Sequence, residues 1–339
     1  MRLFCKCPTL TLSLSRRERG RSDGMSFMAV LPITLDDIER AAKRIHAHVR
    51  RTPLLEASEL APGAHISLKL EFLQHTGSFK PRGAFNNLLS RKIPAAGVTA
   101  ASGGNHGAAT AFAAQALGHR ARIFVPEISS PVKIAKIKAC GADVVVKGAT
   151  YYDARALCQE FARDSGALEI DAYDSFETIS GQGTLAREWE AQAEKLDTVL
   201  IAVGGGGLIA GIAAWFGARV KVVGVEPEGS CALHAALAAG RIVDVEVKSV
   251  AADSLGARRA GEKVFAIARK NVDHVALVSD DAIRAAQKKL WDAFRIASEP
   301  GGATALAALL SRAYAPTRGE RVGVLLCGGN VDLKSLSEL

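Results

Sequence analysis

The sequence predicts an α/β fold with parallel sheets covered by helices, and three observations lead there. Eight segments, "ISLKLE", "GVTAAS", "ARIFVP", "ADVVVK", "DTVLIAV", "VKVVGVE", "HVALVS" and "RVGVLLC", alternate with stretches of helical periodicity. Each is apolar almost throughout, as burial on both faces of a sheet requires. Glycine-rich turns follow three of them, where a strand hands over to a helix.

The chain has 339 residues, 48 % of them hydrophobic, with 32 glycines. That length accommodates two domains around at least one large core, and the composition is that of a soluble globular protein. No apolar run reaches the roughly 18 residues that span a bilayer, so a membrane protein is not expected. Half of the net charge of +8 falls in residues 1–24. The remainder forms no basic stripe interleaved with aromatics, which argues against nucleic acid.

Taken in order, residues 1–24 carry no helical or strand periodicity and read as a disordered tail or a mis-assigned start, with the working start at Met25 or Met28. Thr34 and Asp37 form a capping box, and Ile38, Ala41, Ala42, Ile45 and Val49 then recur at helical spacing. The strand segments divide into a small α/β domain over 97–172, inserted in a large one built from 25–96 and 173–339. The six cysteines are scattered, without metal-type pairing in the body, which fits a reducing cytoplasm.

The turn "AVGGGGLIAGIAAW" places Gly204, Gly205, Gly206 and Gly207 before a helix beginning near Leu208. Converging backbone amides and the helix dipole suit a phosphate there. A dinucleotide reading stays open: Gly205, Gly207 and Ala210 fit G-x-G-x-x-A, with Glu226 about twenty residues on. That would make the chain an NAD-binding dehydrogenase.

In "ASGGNHGAATAFAAQALG", Ser102, Gly103 and Gly104 precede an alanine-rich helix whose first amides suit a carboxylate, and Asn105 and His106 add side-chain donors. An ordinary helix cap with a packed histidine is the alternative. "GVLLCGGN" ends a buried strand at Cys327, a weak and neutral hydrogen-bond partner, though a structural turn explains its glycines as well. "HTGSFKPRGAFN" sets Phe79 and Lys80 among small and apolar residues. A phosphate cradle, a carboxylate cradle and a desolvated amine together suit a phosphorylated aldehyde that condenses with Lys80.

With these motifs in this order, the chain resembles the fold-type II pyridoxal-phosphate enzymes, specifically the serine/threonine dehydratase and serine racemase family, over residues 33–334. The resemblance implies a tryptophan synthase β-like fold, two parallel-rich α/β domains with the active site between them, the larger one binding pyridoxal 5'-phosphate. It implies that Lys80, with Phe79 beside it, carries the cofactor as a Schiff base. Gly204–Gly207 and Leu208 would hold its phosphate, Asn105 would meet its 3'-oxygen and Cys327 its ring nitrogen, while Ser102, Gly103, Gly104, Asn105 and His106 would take the substrate carboxylate. "SGQGT" at 180–184 also matches, in a supporting role.

The implied activity is a lyase reaction: deamination of L-serine or L-threonine by β-elimination of water, to pyruvate or 2-oxobutanoate plus ammonia, in a cytoplasmic homodimer. Serine racemase and 3-hydroxyaspartate dehydratase are the alternatives, and "GNH" at 104–106 sits nearer to dehydratases than to β-replacing synthases. Two departures bear on this. Gly103 stands where racemases carry a serine, so racemisation is expected to be weak. Glu226 matches the family's divalent-cation site, but Ala232 stands where a second acid is expected, which leaves Glu226 a weak metal candidate. No regulatory domain of the biosynthetic type is expected after residue 334.

Overall fold

The computed structural model describes residues 33–332; the tail expected at 1–24 lies outside them. In chain order, α1 (Leu35–Ile45) leads to β1 (Leu54–Glu56), β2 (His65–Lys69), α2 (Lys80–Ser90), β3 (Val98–Ala101), α3 (Asn105–Ala116), β4 (Ala121–Val125), α4 (Pro131–Ala139), β5 (Asp143–Val146), α5 (Tyr151–Ser165) and β6 (Leu168–Glu169). There follow α6 (Phe176–Glu190), β7 (Thr198–Ala202), α7 (Gly207–Phe216), β8 (Lys221–Pro227), α8 (Ala232–Ala239), α9 (Ala252–Leu255), α10 (Glu262–Asn271), β9 (His274–Val278), α11 (Asp280–Phe294), α12 (Pro300–Leu310) and β10 (Arg321–Leu325). All eight expected strand segments are strands.

They form two sheets. One has the order β1-β2-β10-β7-β8-β9 and is parallel except for β1, which runs antiparallel to β2. The other, β5-β4-β3-β6, is parallel throughout. Both belong to the α/β architecture the sequence predicts, and right-handed crossovers through helices are what parallel neighbours need. No helix among the described residues is long and apolar enough to cross a membrane.

α1 begins at the expected capping box, with Thr34 and Asp37 bonded reciprocally, and buries Ile38, Ala41 and Ile45. It ends at Ile45, so Val49 lies past its end as a half-buried contact of the smaller sheet's core.

The "SGQGT" stretch gains a physical role. It lies on α6 where that helix crosses α2 and α7 with no room for side chains. A Cβ on Gly181 would come within 2.7 Å of the Arg82 carbonyl oxygen, and one on Gly183 within 2.9 Å of that of Gly211. Ser180 Oγ accepts a bond from Asn86 Nδ2 at 3.1 Å. Close-packed contacts of this kind leave little freedom to the helix that starts at Lys80.

Candidate active site

The carboxyl ends of β3, β7 and β10 open on one cavity of about 880 Å³, lined by Lys80, the Ser102–His106 turn, Gly204–Leu208, Glu299 and Cys327 among others. In parallel sheets this is where ligands bind.

Lys80 reaches the cavity through a backbone detour. Thr76 and Gly77 both have positive φ, 58° and 73°. A Cβ on Gly77 would sit 2.5 Å from Asn330 Oδ1, so both the conformation and the space demand glycine. Ser78 then bridges to Gly328, and Phe79 N–H donates to the Cys327 carbonyl at 3.2 Å. The "HTGSF" lead-in therefore docks on the turn after β10 and sets the amine beside Cys327. Lys80 Nζ donates to the Ala172 carbonyl at 2.7 Å. Burial lowers its pKa to about 8, against the opposing pull of Asp171, Cys327 and Glu299. Near neutral pH such an amine has a far larger unprotonated fraction than an ordinary lysine.

Helix caps separate the cavity from the rest of the fold. α1, α4, α5, α6 and α11 carry Thr or Ser side-chain caps. The first amides of α8 are met by Glu226 and those of α10 by Asp174. In contrast the helices whose N-termini line the cavity, α2, α3, α7, α9 and α12, have no side-chain cap bond, and at α3 and α7 the N-cap is a glycine, Gly104 and Gly206. The first-turn amides of these two are left for a ligand. Gly206 has φ 90°, and Cβ atoms on Gly205 and Gly207 would lie 2.3 and 2.4 Å from Tyr173 atoms. Side chains would fill this cradle.

Asn105 is held on two sides: its Nδ2 donates to Glu299 Oε1 at 2.7 Å, and its Oδ1 accepts from Asn330 Nδ2 at 2.5 Å. A primary amide has a second N–H, which remains for a ligand. His106 is 6 % exposed and its Nε2–H donates to the Ile170 carbonyl at 2.9 Å. Burial first, then the Lys80 charge, lowers its pKa to about 4, so the ring is neutral. It is the packed histidine rather than a free donor. Burial pushes the Cys327 thiol well up, and Sγ–H points to the Gly301 carbonyl at 3.6 Å, so it too is neutral.

Glu226 is fully buried and its carboxylate accepts the Leu233 and His234 amides, which is a helix-capping use. Among the described residues no group of three or more His, Cys, Asp or Glu is placed to hold a metal ion.

Sequence reasoning missed three residues. Glu299 is 6 % exposed and ringed by Asn105, Lys133, Lys136 and Lys80, with burial raising its pKa. The signal for it was an acid just before Pro300 at a helix start. Asp171 Oδ1 accepts the Tyr173 and Asp174 amides, an Asx turn legible in "DAYDS". Ser129 had no signal: its Oγ lies 2.0 Å from where a Gly103 Cβ would be, so a hydroxyl stands beside Gly103 after all, supplied from the turn before α4.

Residues 45–328 match the family described as pyridoxal-phosphate dependent enzyme. The chain belongs to that family. Among its relatives, a phenylserine dehydratase from Ralstonia pickettii is 39 % identical over 311 residues, covering 88 % of this chain and 94 % of that protein. An L-threonine ammonia-lyase from Geobacter sulfurreducens is 37 % identical over 315 residues, covering 91 % and 78 %. In structure, maize serine racemase superposes with a TM-score of 0.86 at 32 % identity over 90 % of this chain and 96 % of that one. These likenesses make the fold that of the fold-type II enzymes and pyridoxal phosphate the cofactor. The site fits that group: two uncapped helix N-termini, a glycine cradle without room for side chains, and a desolvated lysine share one cavity. The dinucleotide reading is thereby set aside.

Proposed function

We propose that this enzyme deaminates L-serine or L-threonine by eliminating the β-hydroxyl as water, releasing pyruvate or 2-oxobutanoate and ammonia. The observation that carries the reading is Lys80, an amine with pKa lowered to about 8, set where the glycine cradle, the Ser102–His106 turn and Cys327 meet. Pyridoxal phosphate, when bound, supplies an electron sink that acidifies the substrate α-C–H.

Lys80 would hold the cofactor and, as a free amine, would take the α-proton at Nζ. The Gly204–Gly207 amides and the α7 N-terminus would bind the phosphate, with Leu208 and Phe79 lining the site, and the uncapped start of α3 would receive the substrate carboxylate. Asn105 is oriented by Glu299 and Asn330, and its remaining N–H would be the donor for the cofactor's 3'-oxygen. The neutral Cys327 thiol is the group that would meet the ring nitrogen, and a neutral partner there would favour loss of a β-leaving group. The small α/β domain is assigned to 97–172. A homodimer is expected from the family resemblance, and the cytoplasm fits the free thiols of Cys140, Cys158 and Cys327.

Assaying keto-acid release from L-serine, L-threonine and 3-hydroxyaspartate tests the reading. Turnover of at least one is expected, and no keto acid from these or from any other β-hydroxy amino acid overturns elimination. At Cys327, replacement by Ser is expected to keep elimination and replacement by Asp to depress it, because only Asp favours a protonated ring. Equal keto-acid rates in the two variants would remove the thiol from the ring nitrogen.

Racemisation is the second reading, favoured by the Ser129 hydroxyl beside Gly103. Among the described residues no base hydrogen-bonds that hydroxyl. A positioned acid or base is typically worth about 10²- to 10⁴-fold in rate, so D-serine should stay a trace beside pyruvate. Chiral chromatography measures the ratio, and comparable amounts would make racemisation a principal activity. Gly103→Ser is expected to displace Ser129 rather than simply add a hydroxyl.

A further inference from the structure

Three of the large hydrophobic side chains exposed on the described surface line this same cavity: Ile128 at 84 %, Tyr152 at 46 % and Tyr151 at 38 % exposure. They stand there for local reasons. The Thr150–Asp153 capping box fixes the first turn of α5, so Tyr151 and Tyr152 occupy its opening positions, with their rings edge to face at 5.6 Å. Tyr173 joins them from the turn held by Asp171, its ring packed on Gly205, where even a Cβ would come within 2.3 Å. Arg258 lies over the Tyr152 ring at 5.6 Å from its centroid. Apolar surface left in water at the mouth of a site is surface that a ligand can cover, and edge-to-face partners are what aromatic rings favour.

A serine or threonine side chain is too small to use these rings. We propose that Ile128, Tyr151, Tyr152 and Tyr173 form a subsite for an aromatic group on the substrate's β-carbon, so that the preferred β-hydroxy amino acid carries an aryl side chain. This rests on the elimination reading above. The competing feature is Arg155, a half-buried guanidinium on the same wall, which would instead draw a second carboxylate on the substrate.

Calorimetric titration of the full-length holoenzyme with amino acids that lack the leaving hydroxyl tests the subsite. L-Phenylalanine is expected to bind at least about tenfold more tightly than L-2-aminobutyrate, which stands in for threonine. Tyr152→Ala should bring that ratio down to about 1 to 3, whereas Tyr152→Phe, which keeps the ring, should preserve it. Equal affinities in the unaltered protein, or a ratio untouched in both Tyr151→Ala and Tyr152→Ala, overturn the proposal. Tighter binding of L-aspartate than of L-phenylalanine overturns it in favour of Arg155. The two readings fail separately. Keto acid from threonine but none from phenylserine defeats the aryl subsite alone. No keto acid from any β-hydroxy amino acid, with the phenylalanine preference intact, defeats the elimination reading alone.

Discussion

A Lys80→Ala protein is expected to lose turnover by about 10²- to 10⁴-fold or more, because in the proposed reaction one side chain would both anchor the cofactor and move the α-proton. Among the described residues nothing nearby replaces it. His106 is neutral and committed to the Ile170 carbonyl, and the Cys327 thiol is held far above its ordinary range by burial. Lys133 and Lys136 are turned to other partners, Asp253 and Asn330. The keto-acid assay reads the loss directly. Because the glycine cradle and both uncapped helix N-termini are untouched by the change, cofactor binding should weaken but persist, measurable by equilibrium dialysis. Full turnover in the variant would remove Lys80 from the mechanism.

The second large effect concerns stability. Arg82, two residues from Lys80, is 2 % exposed and grips the fully buried Glu71 with Nε at 2.6 Å and Nη2 at 3.1 Å. The same Nη2 reaches Glu188 Oε2 at 2.9 Å, whose other oxygen accepts from Lys69 Nζ at 2.6 Å. Lys69 also donates to the Thr52 carbonyl and Gln192, and Arg82 Nη1 to Thr184, so every charged nitrogen and oxygen of the cluster has a partner. Truncating one member of such a group strands a buried charge, which typically costs about 3 to 5 kcal/mol. Arg82→Leu should therefore lower the unfolding free energy in urea by about that amount, and Arg82→Leu with Glu71→Leu should recover part of it. A loss below about 1 kcal/mol would show that the network is not what fixes the start of α2.

How much of this was legible in the sequence depends on whether a residue's role is local. The eight strands were readable because burial on both faces makes them apolar, whereas β1 and β6, of three and two residues, are too short to carry a pattern. Gly206 and Lys80 announce themselves, one by a run of glycines and the other by its small-residue surroundings. Glu299 does not, since its meaning comes from Asn105, 194 positions away in sequence. Ser129 is likewise invisible until the turn before α4 folds over Gly103. The capping contrast among the helices is also a property of the assembled fold: the serines and threonines at α1, α4, α5, α6 and α11 can be read one by one, but the exposed amides of α3 and α7 matter only because they face one cavity. His106 shows the converse: a histidine in a glycine-rich turn suggests a charged or donating ring, yet desolvation keeps the ring neutral and the Ile170 carbonyl takes its N–H.

Lys80 is proposed to carry the cofactor, and one experiment locates it. Reducing the holoenzyme with borohydride fixes any lysine-bound pyridoxal group as a stable amine, and peptide mass mapping then locates it. The added mass is expected on the peptide containing Lys80 and on no other; finding it on Lys133 or Lys136, the other lysines around Glu299, would remove Lys80 from that role.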